Sequence, residues 1–337
     1  MKRFSFSRII PTLFVAFISF SIQAQNDGPY IFIEKTQLIE KTIKNGKVIT
    51  KSIPLNTYKT EYATEVSEYK NVKKIAALSD IHGQYDLFIK LLKNNKIINN
   101  ELKWNYGKGH LVVVGDVFDR GKKVTEVLWF LYNLEKQANQ KGGKVHFLLG
   151  NHEYMVLFKD LRYIHPKYKT TSKLLGVTYD QLFNKNTVLG KWLRSKSTLV
   201  KINNDTYVHG GISREFLSLG YEINHVNNLM RKAIDKKKSE LNTTSFYKNY
   251  FGTNGPIWYR GYFYEKLQKQ EIVGILKDIN SEHIIVGHCS NKEVVQLFDK
   301  RVFGVDSSIK WGLYGELLMI EKKSYKRATL EGKKISF

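Results

Sequence analysis

Two aspartates, one asparagine and three histidines stand beside glycines at the ends of short apolar runs. They fall in five motifs: Asp80-Ile-His82-Gly83, Gly115-Asp116-Val-Phe-Asp119-Arg120-Gly121, Gly150-Asn151-His152-Glu153, His209-Gly210-Gly211 and Gly287-His288. Carboxylate, amide and imidazole donors in such a mixture suit a borderline divalent cation, Mn, Fe, Zn or Co, better than Ca or Mg. Asp80, His82, Asp116, Asn151, His209 and His288 together make a ligand set for two ions. A pair of ions joined by a shared carboxylate clamps phosphoryl oxygens and makes a water acidic enough to attack phosphorus at neutral pH. The chemistry indicated is two-metal hydrolysis of a phosphoester.

The six residues are tens of positions apart, so different elements must deliver them. Ligands of α/β proteins bind where strands end at their carboxyl termini, and each motif follows an apolar run of strand length. Residues 75–78 lead to Asp80, 111–114 to Asp116 and 145–149 to Asn151. Helices are predicted over Tyr85–Asn94 and over 123–140, where Val124, Val127, Leu128, Leu131 and Leu134 recur at helical spacing. Further on, 199–202 and 206–209 flank the turn signal Asn203-Asn204-Asp205, and 294–298 and 301–305 flank Asp299-Lys300. A last strand is predicted at Leu317–Glu321, and the stretches 163–196 and 231–248 read as polar, lysine-rich insertions. The pattern predicts a mixed α/β catalytic domain over 73–337, with sheets packed on each other and helices outside. Residues 25–72 read as an accessory N-terminal segment carrying a β-hairpin at Asn45-Gly46.

Composition narrows the rest. The 337 residues suffice for one large domain or two ordinary ones, and nothing in them suggests disorder or a fibrous repeat. Residues 1–24 have the build of a secretory signal peptide: Lys2, Arg3 and Arg8, an apolar stretch shorter than a bilayer span, and Ala24 before Gln25. Export to the periplasm or out of the cell follows. The one cysteine, Cys289, excludes an internal disulfide. A net charge of +23, or +20 without the three basic residues of the first segment, attracts polyanions in general. The lysines are scattered rather than interleaved with aromatics, so no specific nucleic-acid partner is indicated.

In this order the motifs resemble the PPP-type, calcineurin-like metallophosphoesterases. Gly150-Asn-His-Glu-Tyr-Met155, then Lys159-Asp-Leu-Arg-Tyr163, His209-Gly-Gly-Ile-Ser213 and Gly255-Pro-Ile-Trp-Tyr-Arg260, is similar to the Shewanella-like protein phosphatases. The resemblance implies an α/β sandwich of two central mixed β-sheets flanked by helices. It also implies roles. Asp80, His82 and Asp116 would hold one metal, and Asp116 would bridge to a second completed by Asn151, His209 and His288. His152, oriented by Asp119, would be the general acid, with Arg120, Arg260 and Asn151 on the phosphate. The activity implied is metal-dependent hydrolysis of phosphomonoesters, with a phosphoprotein or a small phosphoester as substrate and two divalent ions, Mn first, as cofactors. Dinucleoside polyphosphate or phosphodiester hydrolysis is the alternative enzyme reading, and a polyanion-binding envelope protein the non-enzymatic one. Arg162 and Tyr163 fit either substrate contact or structural pairing, and Cys289 beside His288 suggests an oxidation-sensitive thiol. No stable membrane insertion is expected once the leader is removed. N-terminal sequencing of the exported protein should begin at Gln25; a product retaining Met1 would contradict export by cleavage.

Overall fold

The computed structural model describes residues 25–236, 238–242 and 245–337, so the leader expected at 1–24 lies outside the described residues. Backbone hydrogen bonding sorts the strands into three sheets. β1 (Asp27–Ile33), β2 (Leu38–Lys44) and β3 (Lys47–Ile53) form a small antiparallel meander, with Asn45 and Gly46 in its second turn. The remaining strands are β4 (Glu68–Tyr69), β5 (Lys74–Leu78), β6 (His110–Val113), β7 (Lys144–Phe147), β8 (Leu199–Ile202) and β9 (Asp205–Val208). After them come β10 (His283–Val286), β11 (Val295–Leu297), β12 (Val302–Gly304), β13 (Leu317–Glu321), β14 (Ser324–Ala328) and β15 (Lys334–Ser336). One six-stranded sheet runs β15-β14-β13-β5-β6-β7 and the other β11-β12-β10-β9-β8-β4.

Both sheets are mixed. β5, β6 and β7 are mutually parallel, as are β9, β10 and β12, while hairpin partners are antiparallel. Alternation along each strand assigns the two faces. Ile75 and Ala77, Val112 and Val114, and Leu148 join Val200, Tyr207, Ile285, Phe303 and Leu318 in one buried cluster between the sheets. The intervening Ala76, Leu78, Leu111 and Val113 belong to the larger cluster beneath the helices. Burying a side chain of this kind contributes roughly 1.5–3 kcal/mol, and the two clusters hold the parallel strands in one frame. The implied architecture of two mixed sheets flanked by helices is the one observed.

Helix α1 (Tyr85–Asn94) has the predicted bounds, and α2 (Val124–Gln140) starts one residue inside its prediction. The two lysine-rich stretches carry helices. Residues 163–196 contain helix Pro166–Leu175, with proline in its first turn and Gly176 at φ 70° ending it, and helix Val188–Arg194. Residues 231–248 include the end of helix Ile223–Ala233 and the start of helix Ser245–Phe251. The segment 25–72 is divided: the meander packs Ile31 and Leu38 against Val188, while β4 pairs with β8 inside the main sandwich.

One buried lysine and two carboxylates fasten this second sheet to its surroundings. Lys196, 1% exposed, lies 2.6 Å from both Glu65 Oε1 and Glu135 Oε2, over the Trp192 ring. Burial alone would lower the ammonium's pKa, but the two carboxylates raise it; burial would raise Glu135, but Lys196 holds it below the ordinary carboxylate range. The depressed Glu135 contributes stability that is present above the unfolded carboxylate pKa and lost as pH falls through the folded one. Lys196 contributes stability that is present below its unfolded pKa and lost as pH rises through the folded one. Replacing Lys196 with Met strands two acids indoors, and denaturant titration at neutral pH should show a loss of about 3–5 kcal/mol. A change within about 0.5 kcal/mol, the range of ordinary surface substitutions, would contradict the pairing.

Candidate metal centre

The parallel strands of both sheets end at one place. Asp80 follows β5, Asp116 follows β6, Asn151 follows β7, His209 follows β9 and His288 follows β10. Loop-to-loop hydrogen bonds then knit the ends together. Asp80 N–H donates to Gly115 O (3.1 Å), His82 N–H to Asp116 O (3.0 Å) and Gly287 N–H to His209 O (2.9 Å). Two bonds cross between the sheets: His288 N–H to Asp80 Oδ2 (2.9 Å) and the His209 Nδ1 position to Val114 O (2.7 Å). All six expected ligands are buried.

Asp116 stands at the middle. Its Oδ2 is 3.1 Å from His209 Nε2, 3.7 Å from His82 Nε2 and 3.8 Å from His152 Nε2. It belongs to two groups whose donor atoms lie within 4.8 Å of one another: His82, Asp116 and His152 on one side, Asp116, His209 and His288 on the other. Asp80 Oδ1 lies 3.8 Å from His82 Nε2, and Asn151 Oδ1 lies 2.9 Å from His209 Nε2. Sequence reasoning placed His152 outside the ligand set; the structure brings its Nε2 into the first of these groups.

The imidazoles are oriented from behind. His82 Nδ1 sits 2.6 Å from Phe118 O and His209 Nδ1 2.7 Å from Val114 O, so each Nδ1–H donates to a carbonyl and each Nε2 faces the carboxylates. Backing of this kind is how ligating histidines are fixed in one tautomer. His152 Nδ1 is 2.6 Å from Asp119 Oδ2, the expected orienting pair.

The electrostatics favour cations. Burial would lower the His209 imidazole, yet Asp116 and Asp80 carry its pKa up to about 10. Burial raises Asp80, whereas the imidazoles hold Asp116 well below the carboxylate range against its own burial. Burial keeps His82 and His288 well below their usual pKa, so their lone pairs remain free to ligate. His288 Nε2 is buried with no hydrogen-bond partner among the described residues, and buried polar atoms are rarely left so. A ligating nitrogen has its partner in the ion. Mixed oxygen and nitrogen donors around two buried carboxylates fit a pair of divalent ions.

Left-handed backbone recurs at this site. Asp80, His82, Asp116, Asp119, Arg120 and His288 all have φ between 44° and 69°. Left-handed backbone is tolerated best by Asp, Asn and His among non-glycine residues, which accounts for five of the six. Close approach explains two glycines. A Cβ at Gly150 would come within 2.4 Å of Asp116 Oδ1, and one at Gly210 within 2.8 Å of Trp258 N. The second contact explains how the Gly255–Arg260 stretch reaches the site, because Gly210 and Gly211 N–H both donate to Pro256 O.

At the rim, Arg120 lies over the Tyr163 ring and Arg260 over the Trp258 ring, the two guanidiniums exposed. Against its burial, Asp116 and Asp119 raise the His152 pKa, a rise that Arg120 only partly offsets, while Arg260 adds to the lowering that burial and His209 impose on His288. Arg162 is paired with Asp160 through two 2.8 Å bonds, its side chain exposed at the surface. Tyr163 sits 5.5 Å from the His152 ring, between that imidazole and the arginines. Cys289 is buried, and burial pushes its thiol up to about 12, unlike the exposed, low-pKa setting in which thiols are readily oxidised.

The residue that sequence reasoning left without a role is Glu153. Fully buried, its carboxylate accepts the N–H groups of Asp116 (2.9 Å), Val117 (2.7 Å), Phe118 (3.2 Å) and Gly150 (2.7 Å). It clamps the Asp116 loop to the start of α3 (Asn151–Leu157), the helix that carries Asn151 and His152. Its place in Gly-Asn-His-Glu was the one signal of this in the sequence.

With this geometry the comparisons agree. The pattern described as calcineurin-like phosphoesterase matches residues 73–289. Shewanella-like protein phosphatase 1 of Plasmodium berghei (strain Anka) is 30% identical over 232 residues, covering 66% of this chain and 63%, less than two thirds, of that protein. Shewanella-like protein phosphatase 2 of Arabidopsis thaliana is 22% identical over 268 residues, 66% of this chain and 67% of that one. The cold-active protein-tyrosine phosphatase of a psychrophilic Shewanella sp. superposes with a TM-score of 0.90 at 40% identity, covering 93% of this chain and 99% of that chain.

Exchanging Glu153 for Gln places an amide donor against backbone donors. Calorimetric titration with Mn should then show affinity weakened by roughly 10–100-fold. Unchanged affinity would show that the clamp does not position the ligands.

Proposed function

The chain belongs to the calcineurin-like phosphoesterase family, and from that premise we propose that it is a metal-dependent phosphomonoesterase acting on phosphoproteins. The observation that carries the reading is the placement of Asp116 between two buried donor groups. Asp80, His82 and Asp116 would hold one ion, and Asp116, Asn151, His209 and His288 the other. When bound, the ions supply Lewis-acid charge for the phosphoryl oxygens and acidify the attacking water. Mn is proposed as the metal, with Fe, Zn and Co as alternatives that the same mixed donors accept.

The chain's own side chains do the remaining work. Arg120 and Arg260 are exposed at the rim, and their planar forks match two phosphate oxygens each. Asn151 directs its amide into the same space beside His209. His152 keeps one ring nitrogen on Asp119 and turns the other towards Asp116, where it can hand a proton to the departing alkoxide oxygen. Asp119 positions that ring and stabilises its protonated form. Phosphoprotein is favoured as substrate by the names of the Shewanella-like relatives and of the tyrosine phosphatase of similar fold. Export to the periplasm or beyond is part of the proposal, supported by the sequence of residues 1–24.

Supplied with Mn, the protein should hydrolyse p-nitrophenyl phosphate and phosphopeptides faster than a dinucleoside tetraphosphate. Chelation should abolish the activity and Mn restore it. Asp116→Asn should lower kcat/KM by at least about 100-fold, since a shared ligand matters no less than a group behind one. Activity that survives chelation, or Asp116→Asn at full rate, would overturn the proposal.

A further inference from the structure

The first strand of the N-terminal meander buries an acid and a phenol: Asp27 is 6% exposed and Tyr30 1%. A buried charge is costly unless paired, and three residues meet Asp27. Tyr30 OH donates to its Oδ2 (2.8 Å), Thr171 Oγ1 donates to the same oxygen (2.6 Å), and Lys167 Nζ lies 3.0 Å from its Oδ1. Tyr30 OH also stands 3.0 Å from Thr125 Oγ1, in the first turn of α2. Further along α2, Trp129 Nε1 donates to Pro29 O (2.8 Å). The meander is thus bonded both to α2 and to helix Pro166–Leu175.

Those two helices hold the loop that carries Arg120. Lys123, at the cap position of α2, gives the helix no side-chain bond, although the first N–H groups of a helix need partners. Tyr168 OH serves instead: it accepts from Val124 N–H (2.6 Å) and Thr125 N–H (3.3 Å) and donates to Lys122 O (3.1 Å). Lys167 Nζ donates to the same carbonyl (3.0 Å). Burial, then Asp27, pushes the Tyr30 and Tyr168 phenols well above the ordinary tyrosine range, so each hydroxyl keeps its proton to donate. At the other end of the loop, Arg120 N–H donates to Tyr163 O (2.9 Å) and Gly121 N–H to His82 O (3.0 Å). Rings continue the contact: Tyr30 meets Phe183 edge-on, and Phe183 meets Phe118, whose carbonyl backs His82. Asp119 (φ 69°) and Arg120 (φ 62°) are both left-handed, a conformation that persists where the surroundings over-determine it.

We propose that the N-terminal meander is a brace for the phosphate-gripping loop, with Tyr168, Tyr30 and Asp27 as positioning residues that hold residues 119–125 and so place Arg120. This rests on the phosphomonoesterase reading and gives a role in it to a segment whose sequence carries no chemistry of its own. The physical cause is pre-organisation. An arginine on a loose loop loses conformational freedom when it grips phosphate, whereas one on a fixed loop has little left to lose. Tyr168 fixes the backbone at Lys122, Val124 and Thr125, just past Arg120, and Asp27 fixes the helix that carries Tyr168. None of the three belongs to either metal donor group, so loosening the brace weakens the hold on phosphate and leaves the ions in place.

The test uses the Mn-loaded full chain, with p-nitrophenyl phosphate as substrate and inorganic phosphate as inhibitor. Tyr168→Phe deletes one oxygen and keeps the ring, whose centroid lies 4.8 Å from that of Tyr179. It should raise KM and the phosphate inhibition constant together, by about five- to ten-fold, the effect of a lost hydrogen bond or two, with Mn content unchanged. In an Arg120→Ala background the same change should add less than about two-fold, whereas in an Arg260→Ala background it should act in full. Tyr30→Phe, one bond further from the loop, should act in the same direction by about two- to three-fold. Should Tyr168→Phe not fold, Tyr30→Phe decides on the same measures. An unchanged phosphate inhibition constant, equal factors in the two arginine backgrounds, or loss of Mn from the folded variant would each overturn the brace. Failure of the wild type on p-nitrophenyl phosphate would instead refute the phosphatase reading beneath it.

Discussion

One carboxylate, Asp116, is asked to serve two groups of ligands at once, and most of the site follows from that demand. A buried negative charge is costly unless paired, and Asp116 is surrounded by three imidazoles rather than by lysine or arginine. Imidazoles leave the balance to be completed by cations, whereas a guanidinium would close it permanently. The elevated His209 and the suppressed Asp116 are two views of one condition, a cavity with an excess of donor atoms over positive charge. Glu153 adds a further buried carboxylate directly behind Asp116, spent wholly on backbone N–H groups.

Holding Asp116 there requires strain, and the sandwich supplies the means to bear it. Left-handed backbone at non-glycine residues costs on the order of 1 kcal/mol or more each, and six such residues meet at the centre. The parallel strands end in step because their registers align Ala77 with Val112, Val112 with His146, and Ile285 with Tyr207. Cross-sheet bonds from His288 to Asp80 and from His209 to Val114 make the gap between sheets part of the site. A shift of either sheet would separate the two donor groups, so sandwich packing and ligand geometry are one problem.

Much of this was legible in the sequence, for identifiable reasons. Asp80, Asp116, Asn151, His209 and His288 each follow a short apolar run, and a buried strand that ends on a polar residue beside glycine is the pattern of a ligand-delivering loop. α1 and α2 were legible because their apolar faces repeat at helical spacing. Helix Pro166–Leu175 was hidden because it buries few side chains, leaving lysines and threonines to dominate its composition. β14 and β15 were hidden because their exposed positions break alternation at the edge of a sheet. Glu153 was visible as a motif residue but not as a clamp, since its partners are backbone groups from another loop. The burial of Cys289 was hidden because it cannot be read from a position next to His288.

The central claim is that one shared carboxylate assembles a two-ion centre, and counting metals tests it most directly. Elemental analysis of the Mn-loaded protein and of Asp116→Asn, both freed of loosely bound ions, gives the number per chain. The account predicts two ions in the wild type and at most one in the variant. Two ions retained without the Asp116 carboxylate, or none in a catalytically active wild type, would contradict it.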